Sequence, residues 1–171
     1  ITYPASFMLV GSMNPSPSGY FNDPDAPMTS SPAEMQRYLS KISGPLLDRI
    51  DIHIEVNPVP FEKLSQREKA ESSTSIRERV IQAREIQTQR FAQYEHIHYN
   101  AQMGSKQIRE YCHVEEASLA MLKKAMERLS LSARAYDRIL KVARTIADLE
   151  GSESIKEYHI GEAIQYQSLD R

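Results

Sequence analysis

Arg134, Arg138 and Lys141 are the residues whose types and spacing first point to chemistry. On a helix they fall within about 60° of one another, beside an apolar face centred on Ile139 and Val142. Such a stripe suits an anion, and it equally suits the solvated side of an amphipathic helix; periodicity leaves both readings open. Arg49 sits in Leu46-Leu47-Asp48-Arg49, between a Gly-Pro break and a strand-like segment, where the backbone must turn sharply. An ion pair with Asp48 or Asp51 accounts for it as readily as a functional role does. The histidines offer less. His96 and His98, at i and i+2, point apart on a helix. His53 falls on the polar side of a strand-like run, while His113 and His159 border helix starts, where capping or plain exposure is expected. Cys112 is the only thiol, so no internal disulfide and no Cys-based zinc cluster can form, and no metal site is expected.

No phosphate loop of the GxxxxGK[ST] type, no apolar run ending in Asp-Glu, no HExxH and no nucleophile elbow occurs in the 171 residues. With 26% charged and 40% hydrophobic residues, the composition is that of an ordinary soluble protein. The longest apolar run, residues 7–10, is far short of the roughly 18 needed to span a bilayer. No basic-then-apolar leader is seen, and the single thiol fits a reducing, cytoplasmic setting. Lys+Arg 21 against Asp+Glu 23 gives a net charge of −2, which argues against tight non-specific binding of nucleic acid by this chain alone. A local basic face remains open.

These side chains need elements to hold them. All nine prolines lie in the first 60 residues, which carry three basic and six acidic side chains; residues 61–171 carry eighteen and seventeen and no proline. Composition changes near Phe61, and the second part is expected to be almost wholly helical. In the first part, FMLV (7–10) reads as a short buried strand ending at Gly11. A proline-rich loop over 14–31 leads to Ser31-Pro32-Ala33-Glu34, a capping box with proline at N1, so a helix begins there. Met35, Tyr38, Leu39 and Ile42 give it one buried face, and Gly44-Pro45 is expected to end it. Ile50, Ile52, Ile54 and Val56 then alternate with Asp51, His53 and Glu55, the period of a half-buried strand. Two strands do not form a sheet that stands alone, and the chain reads as beginning inside a domain.

In the second part, Ile76, Val80, Ala83 and Gln87, continuing to Phe91 and Tyr94, mark a long helix opened by the Ser72-Ser73-Thr74-Ser75 cluster, within which Ser75 and Glu78 could form a capping box. A break over 100–104 precedes a short helix with Ile108, Tyr111 and Cys112 inward. Leu119, Leu122, Met126 and Leu129 describe the next. Ser132 caps a helix whose Ala135, Ile139, Val142, Ile146 and Leu149 share one face and which stops at Gly151. The last helix, roughly 159–168, contributes Ile160, Ala163 and Ile164.

Four segments together resemble a known family: GSMNP (Gly11 to Pro15), RYLSKISGPLLDRIDIHIEV (Arg37 to Val56), LSARAYDRILKVARTIADLEG (Leu131 to Gly151) and HIGEAIQYQSLDR (His159 to Arg171). They are similar to the C-terminal part of the bacterial magnesium chelatase-like AAA+ ATPases, the ComM/YifB group, and the resemblance covers essentially the whole chain. It implies an α/β remnant followed by an all-α part. Residues 1–60 would be the tail of the nucleotide domain, two strands and a helix, and residues 61–171 a helical lid bundle. By the same resemblance Asn14 matches the sensor-1 residue that orients the attacking water. Arg49 matches the arginine finger that reaches into a neighbouring subunit's nucleotide site, and Arg134 the sensor-2 arginine of the lid. Asn14 and Arg134 would contact the nucleotide. Phosphoryl transfer needs positive charge on the β- and γ-phosphates, which arginine supplies as a planar, permanently charged fork.

The family's phosphate loop and Mg-binding acidic pair fall before residue 1, so the resemblance implies a fragment with the lid and sensors but without the nucleotide cradle. ATP and Mg2+ then belong to the intact protein, and neither binding nor turnover is expected of the fragment. Many members carry paired cysteines where Ser16, Ser18, Met28 and Ser30 stand here, so any zinc site of that loop is lost. The function implied is that of a cytoplasmic homo-oligomeric ring, a hexamer, with no membrane role, coupling ATP hydrolysis to remodelling of DNA. Two alternatives stand beside it: an ATPase subunit for metal insertion into a tetrapyrrole, and a helical interaction module without a nucleotide role.

Overall fold

The computed structural model describes residues 5, 7–14, 16, 17, 31–47, 49–56, 59 and 70–167. Among these are seven α-helices: α1 (Pro32–Leu39), α2 (Gly44–Leu47), α3 (Ser73–Arg90), α4 (Ser105–Tyr111), α5 (Glu116–Arg128), α6 (Ala133–Glu150) and α7 (Glu157–Gln165). A 3₁₀ turn at Asn100–Gln102 separates α3 from α4. None of the helices is long and apolar enough to cross a membrane. The chain divides into two units, Ile1–Leu47 and Asp48–Arg171.

In the first unit, α1 opens on the expected capping box. Glu34 N–H donates to Ser31 Oγ at 3.3 Å, and the Ser31 N–H first and its hydroxyl next, each donating to Glu34 Oε2 at 2.8 Å, hold the Glu34 carboxyl below its ordinary value. Met35, Tyr38 and Ile42 are half-buried, but Leu39 is exposed and α1 stops there. Gly44-Pro45 opens α2 instead of ending α1; a first-turn proline needs no N–H, so it fits. The strand expected at 7–10 is not formed: Phe7, Met8, Leu9 and Val10 are exposed and enter no ladder. A strand is held by a paired neighbour backbone, and no described residue supplies one. The loop positions Ser18, Met28 and Ser30 and the composition change near Phe61 lie outside the described residues.

The second expected strand is also absent. Residues 50–56 form no ladder, and the expected apolar side is largely uncovered: Ile52, Ile54 and Val56 are exposed, while Ile50 and His53 are half-buried. The backbone partner here is a helix end, because His53 N–H donates to Tyr166 O at 2.9 Å beyond α7. Among the described residues the fold is therefore helical, and neither expected strand is formed. The sole β-type contact among the described residues is an isolated parallel bridge between Val114 and Ile155.

α6 is the central element, packed against α7, α3, α4 and the 3₁₀ turn, while α5 packs on α7. Its buried side includes Ala135, Ile139, Leu140, Ala143 and Ala147, meeting Phe91, Met103, Ile108, Leu122, Ile155, Ile160 and Ala163. Each large aliphatic side chain so buried contributes about 1.5–3 kcal/mol. Ser132 caps α6 as expected, accepting Ala135 N–H at 3.3 Å. Gly151, at φ 75°, ends it: Ser152 N–H reaches Ala147 O at 2.8 Å and Gly151 N–H reaches Asp148 O at 3.1 Å.

Three details depart from expectation. The cap of α3 is Ser72, which accepts Ser75 N–H at 3.2 Å, whereas Ser75 itself donates to Glu71. Ile76, Val80, Leu119, Leu129 and Leu149 fall at the right period yet stay exposed, since a period selects a face without fixing how far a neighbour covers it. α7 begins at Glu157, two residues early, because His159 caps it: His159 Nδ1 accepts Lys156 N–H at 3.0 Å. The expected continuation to Ser168 passes outside the described residues.

Candidate functional site

Arg134 is the second residue of α6 and is exposed, held there by the Ser132 cap on one side and by the fully buried Ala135 and Ile139 on the other. One turn later the basic stripe is already engaged. Arg138 places Nε 3.9 Å from Asp51 Oδ1, and Lys141 Nζ donates to Ala101 O at 3.0 Å. The three cations thus do not converge on one point; Arg134 alone of them remains exposed at the mouth of the helix. A guanidinium in the first turn adds to the partial positive charge of the helix N-terminus, and both favour an anion.

Arg49 is exposed in a turn two residues before Asp51. That turn is fastened to the helical unit through Asp51, whose carboxylate faces Arg138 and whose carbonyl accepts the Gln167 side-chain amide. Asn14 lies in the other unit, exposed, with its carbonyl accepting the Tyr38 hydroxyl at 2.8 Å. Among the described residues no three His, Cys, Asp or Glu side chains group as a metal needs, so none is assigned as a Mg2+ ligand.

A second polar centre was not anticipated. Asp148, on the buried side of α6, accepts two bonds from Arg90 at 2.7 and 2.5 Å, one from Arg144 Nε at 3.1 Å and one from Asn100 Nδ2 at 2.7 Å. Asn100 Oδ1 accepts from Arg90 at 2.9 Å, and Asn100 N–H donates to the Gln87 side chain at 3.1 Å. Arg144 sends its remaining donors to Glu153 O and Ser152 O. Burial lowers the Arg144 pKa, an effect opposed by Asp148. The sequence did hold a signal: Arg144 and Asp148 sit at i, i+4 inside the small-residue side formed by Leu140, Ala143 and Ala147. Charges at that register call for buried partners. The donors of this centre are directed at the protein's own carbonyls, carboxylate and the Thr145 hydroxyl, so it is a lock for the bundle.

At the other end of α6, Glu150 accepts from the Tyr158 hydroxyl at 2.6–2.7 Å and lies 2.6 Å from His159 Nε2. Because Nδ1 accepts a backbone N–H, the ring proton sits on Nε2 and points at Glu150. The Tyr158 hydrogen bond first, and His159 next, hold the Glu150 carboxyl below its ordinary value.

Comparison with known proteins agrees with this architecture. Residues 70–167 match the family model described as magnesium chelatase, subunit ChlI C-terminal, and residues 1–64 match that described as magnesium chelatase, subunit ChlI. The whole chain is 42% identical over 172 residues to the competence protein ComM of Haemophilus influenzae, covering 32% of that protein. It is 41% identical over its whole length to the uncharacterized protein YifB of Escherichia coli, covering 33% of it. An uncharacterized protein of Mycobacterium tuberculosis is 36% identical over 89% of this chain, covering 29% of that protein. The chain spans about a third of the length of these curated relatives. With residues 70–167 matching its C-terminal model, the chain belongs to the magnesium chelatase ChlI family.

Proposed function

We propose that this chain supplies the sensor and finger residues of an oligomeric AAA+ ATPase that couples ATP hydrolysis to remodelling of DNA, of the helicase, branch-migration or competence type. The observation that carries the reading is the pair of ChlI family matches along the chain, together with whole-chain similarity to a competence protein. In this reading Arg134, exposed in the first turn of α6, binds the phosphates of its own subunit's nucleotide. Arg49 meets the nucleotide of the next subunit in a homo-oligomeric ring, a hexamer, and Asn14 orients the attacking water. Each acts on charge that grows toward the transition state, where a fixed cation gains most. Mg2+, where bound, would supply positive charge to the phosphates; its ligands are not assigned to this chain. Without the phosphate loop's amides the 171-residue chain alone turns over no ATP.

A second reading, an ATPase subunit for metal insertion into a tetrapyrrole, is favoured by the name of the matching family. Assaying the full-length protein for ATP turnover with and without DNA, in parallel with porphyrin metallation, separates the two. DNA stimulation without metallation supports the first, and the reverse supports the second. Loss of ATP turnover in Arg134→Ala would exclude the third reading, a helical interaction module without a nucleotide role.

A further inference from the structure

The Arg49 turn and the helices belong to one unit; one contact ties the turn to α6 and two tie it to the residues just beyond α7. Arg138, one helical turn from Arg134, brings Nε to 3.9 Å from Asp51 Oδ1, with its side chain only 13% exposed. Gln167 donates from its side-chain amide to Asp51 O, and His53 N–H donates to Tyr166 O at 2.9 Å. Asp51 and His53 thus fix the chain just after Arg49. Two residues of chain span at most about 7 Å, so Arg49 has little reach of its own once Asp51 is held. On the other side, Ala135, Ile139, Leu140 and Ala143 are buried and make α6 a stiff lever. A shift of α6 at Arg134 carries Arg138 with it, and Arg138 carries Asp51.

We propose that Arg138 is a positioning residue that couples α6 to the Arg49 turn through Asp51. An anion drawing on Arg134 thereby changes how Arg49 is presented. The inference rests on the roles given above to Arg49 and Arg134 and adds the physical link between them. Asp51 is 62% exposed, so the ion pair itself contributes little stability. Its loss is expected to uncouple the turn from α6, leaving the Gln167 and Tyr166 bonds in place and the helix folded.

The test uses the full-length protein. Arg138→Gln, which keeps most of the packed stem, is expected to lower kcat about 10- to 100-fold, the scale of a misplaced reacting group, with KM for ATP nearly unchanged. Arg138→Lys, which keeps the charge, is expected to recover most of that loss. Because Arg138 acts through Arg49, the double variant Arg49→Ala/Arg138→Gln is expected to be no slower than Arg49→Ala alone. Amide exchange over residues 49–56 is expected to quicken in Arg138→Gln while the interior of α6 stays protected. Additive losses in the double variant, or unchanged exchange over 49–56, overturn the coupling while leaving Arg49's own role intact. Full turnover in Arg49→Ala removes that role and the coupling with it.

Discussion

Arg90 closes on Asp148 through two parallel hydrogen bonds of 2.7 and 2.5 Å, joining the end of α3 to the end of α6 across 58 residues of chain. Asp148 also serves Arg144, so one carboxylate answers two guanidiniums, and the excess positive charge is met by the carbonyls of Ser152 and Glu153.

Asp148→Ala would strand both arginines in the interior, and breaking a buried pair from one side costs about 3–5 kcal/mol. Urea unfolding of the 171-residue chain is expected to show that loss. A loss under about 1 kcal/mol would mean that the arginines reach water instead.

The two ends of α6 are independent. Ser132→Ala removes the cap and is expected to cost about 1 kcal/mol. Gly151→Ala forces a Cβ into left-handed backbone and costs about 1–2 kcal/mol. The helix is roughly 27 Å long, so the two losses should add within about 0.5 kcal/mol in the double variant.

Glu150 sets part of the acid limb. Its folded pKa lies below the ordinary 4.5, so the stability it contributes is present above that value and is lost as pH falls through the lowered one. Glu150→Gln should therefore be less stable than the parent at neutral pH, with the two stability profiles converging in acid. Parallel profiles down to the lowest pH would show that the Tyr158 and His159 contacts do not favour the carboxylate.

Burial pushes the Cys112 thiol up to about 11, against the pull of Arg144 and Arg90. Since the thiolate is the reactive form, alkylation of the folded chain at pH 8 should be far slower than in denaturant. Equal rates in the two conditions would place Cys112 at the surface.

Arg49→Ala in the intact assembly is expected to remove most ATP turnover, on the order of 10³- to 10⁵-fold, while nucleotide binding persists. Mixing these subunits with subunits defective only in the phosphate loop should recover part of the activity at mixed interfaces. No recovery at any ratio, with assembly intact, would sink the assignment in trans.

What the sequence discloses follows the range of the interaction. The Ser31 and Ser132 caps and the Gly151 stop depend on residues within one turn, and all three were legible. The run Ser72 to Ser75 marked the start of α3 but not which residue caps it; Ser72 is the cap, with Glu71 bonded to Arg79 at 2.6 and 3.1 Å. The alternation over 50–56 promised a strand, but alternation cannot supply the neighbour a strand requires, and the backbone paired with Tyr166 instead. Arg90 and Asp148 are far apart in sequence, so their pairing left no local trace. Of the site residues, Arg134 could be placed on its helix from Ser132 onward, whereas the engagement of Arg138 by Asp51 depended on tertiary packing.

Val114 and Ile155 lie in different linkers, one before α5 and one before α7, so their bridge closes a loop of chain that contains α5 and α6. For local opening, α5 and α6 are therefore expected to resist separation more than the first turns of α3 do, with slower amide exchange. The first turns of α3, where Ile76 and Val80 remain 44% and 45% exposed, lie outside that loop and open at lower cost. The helical unit has a tight end and a loose end, and fraying starts at Ser73 before it reaches Arg90.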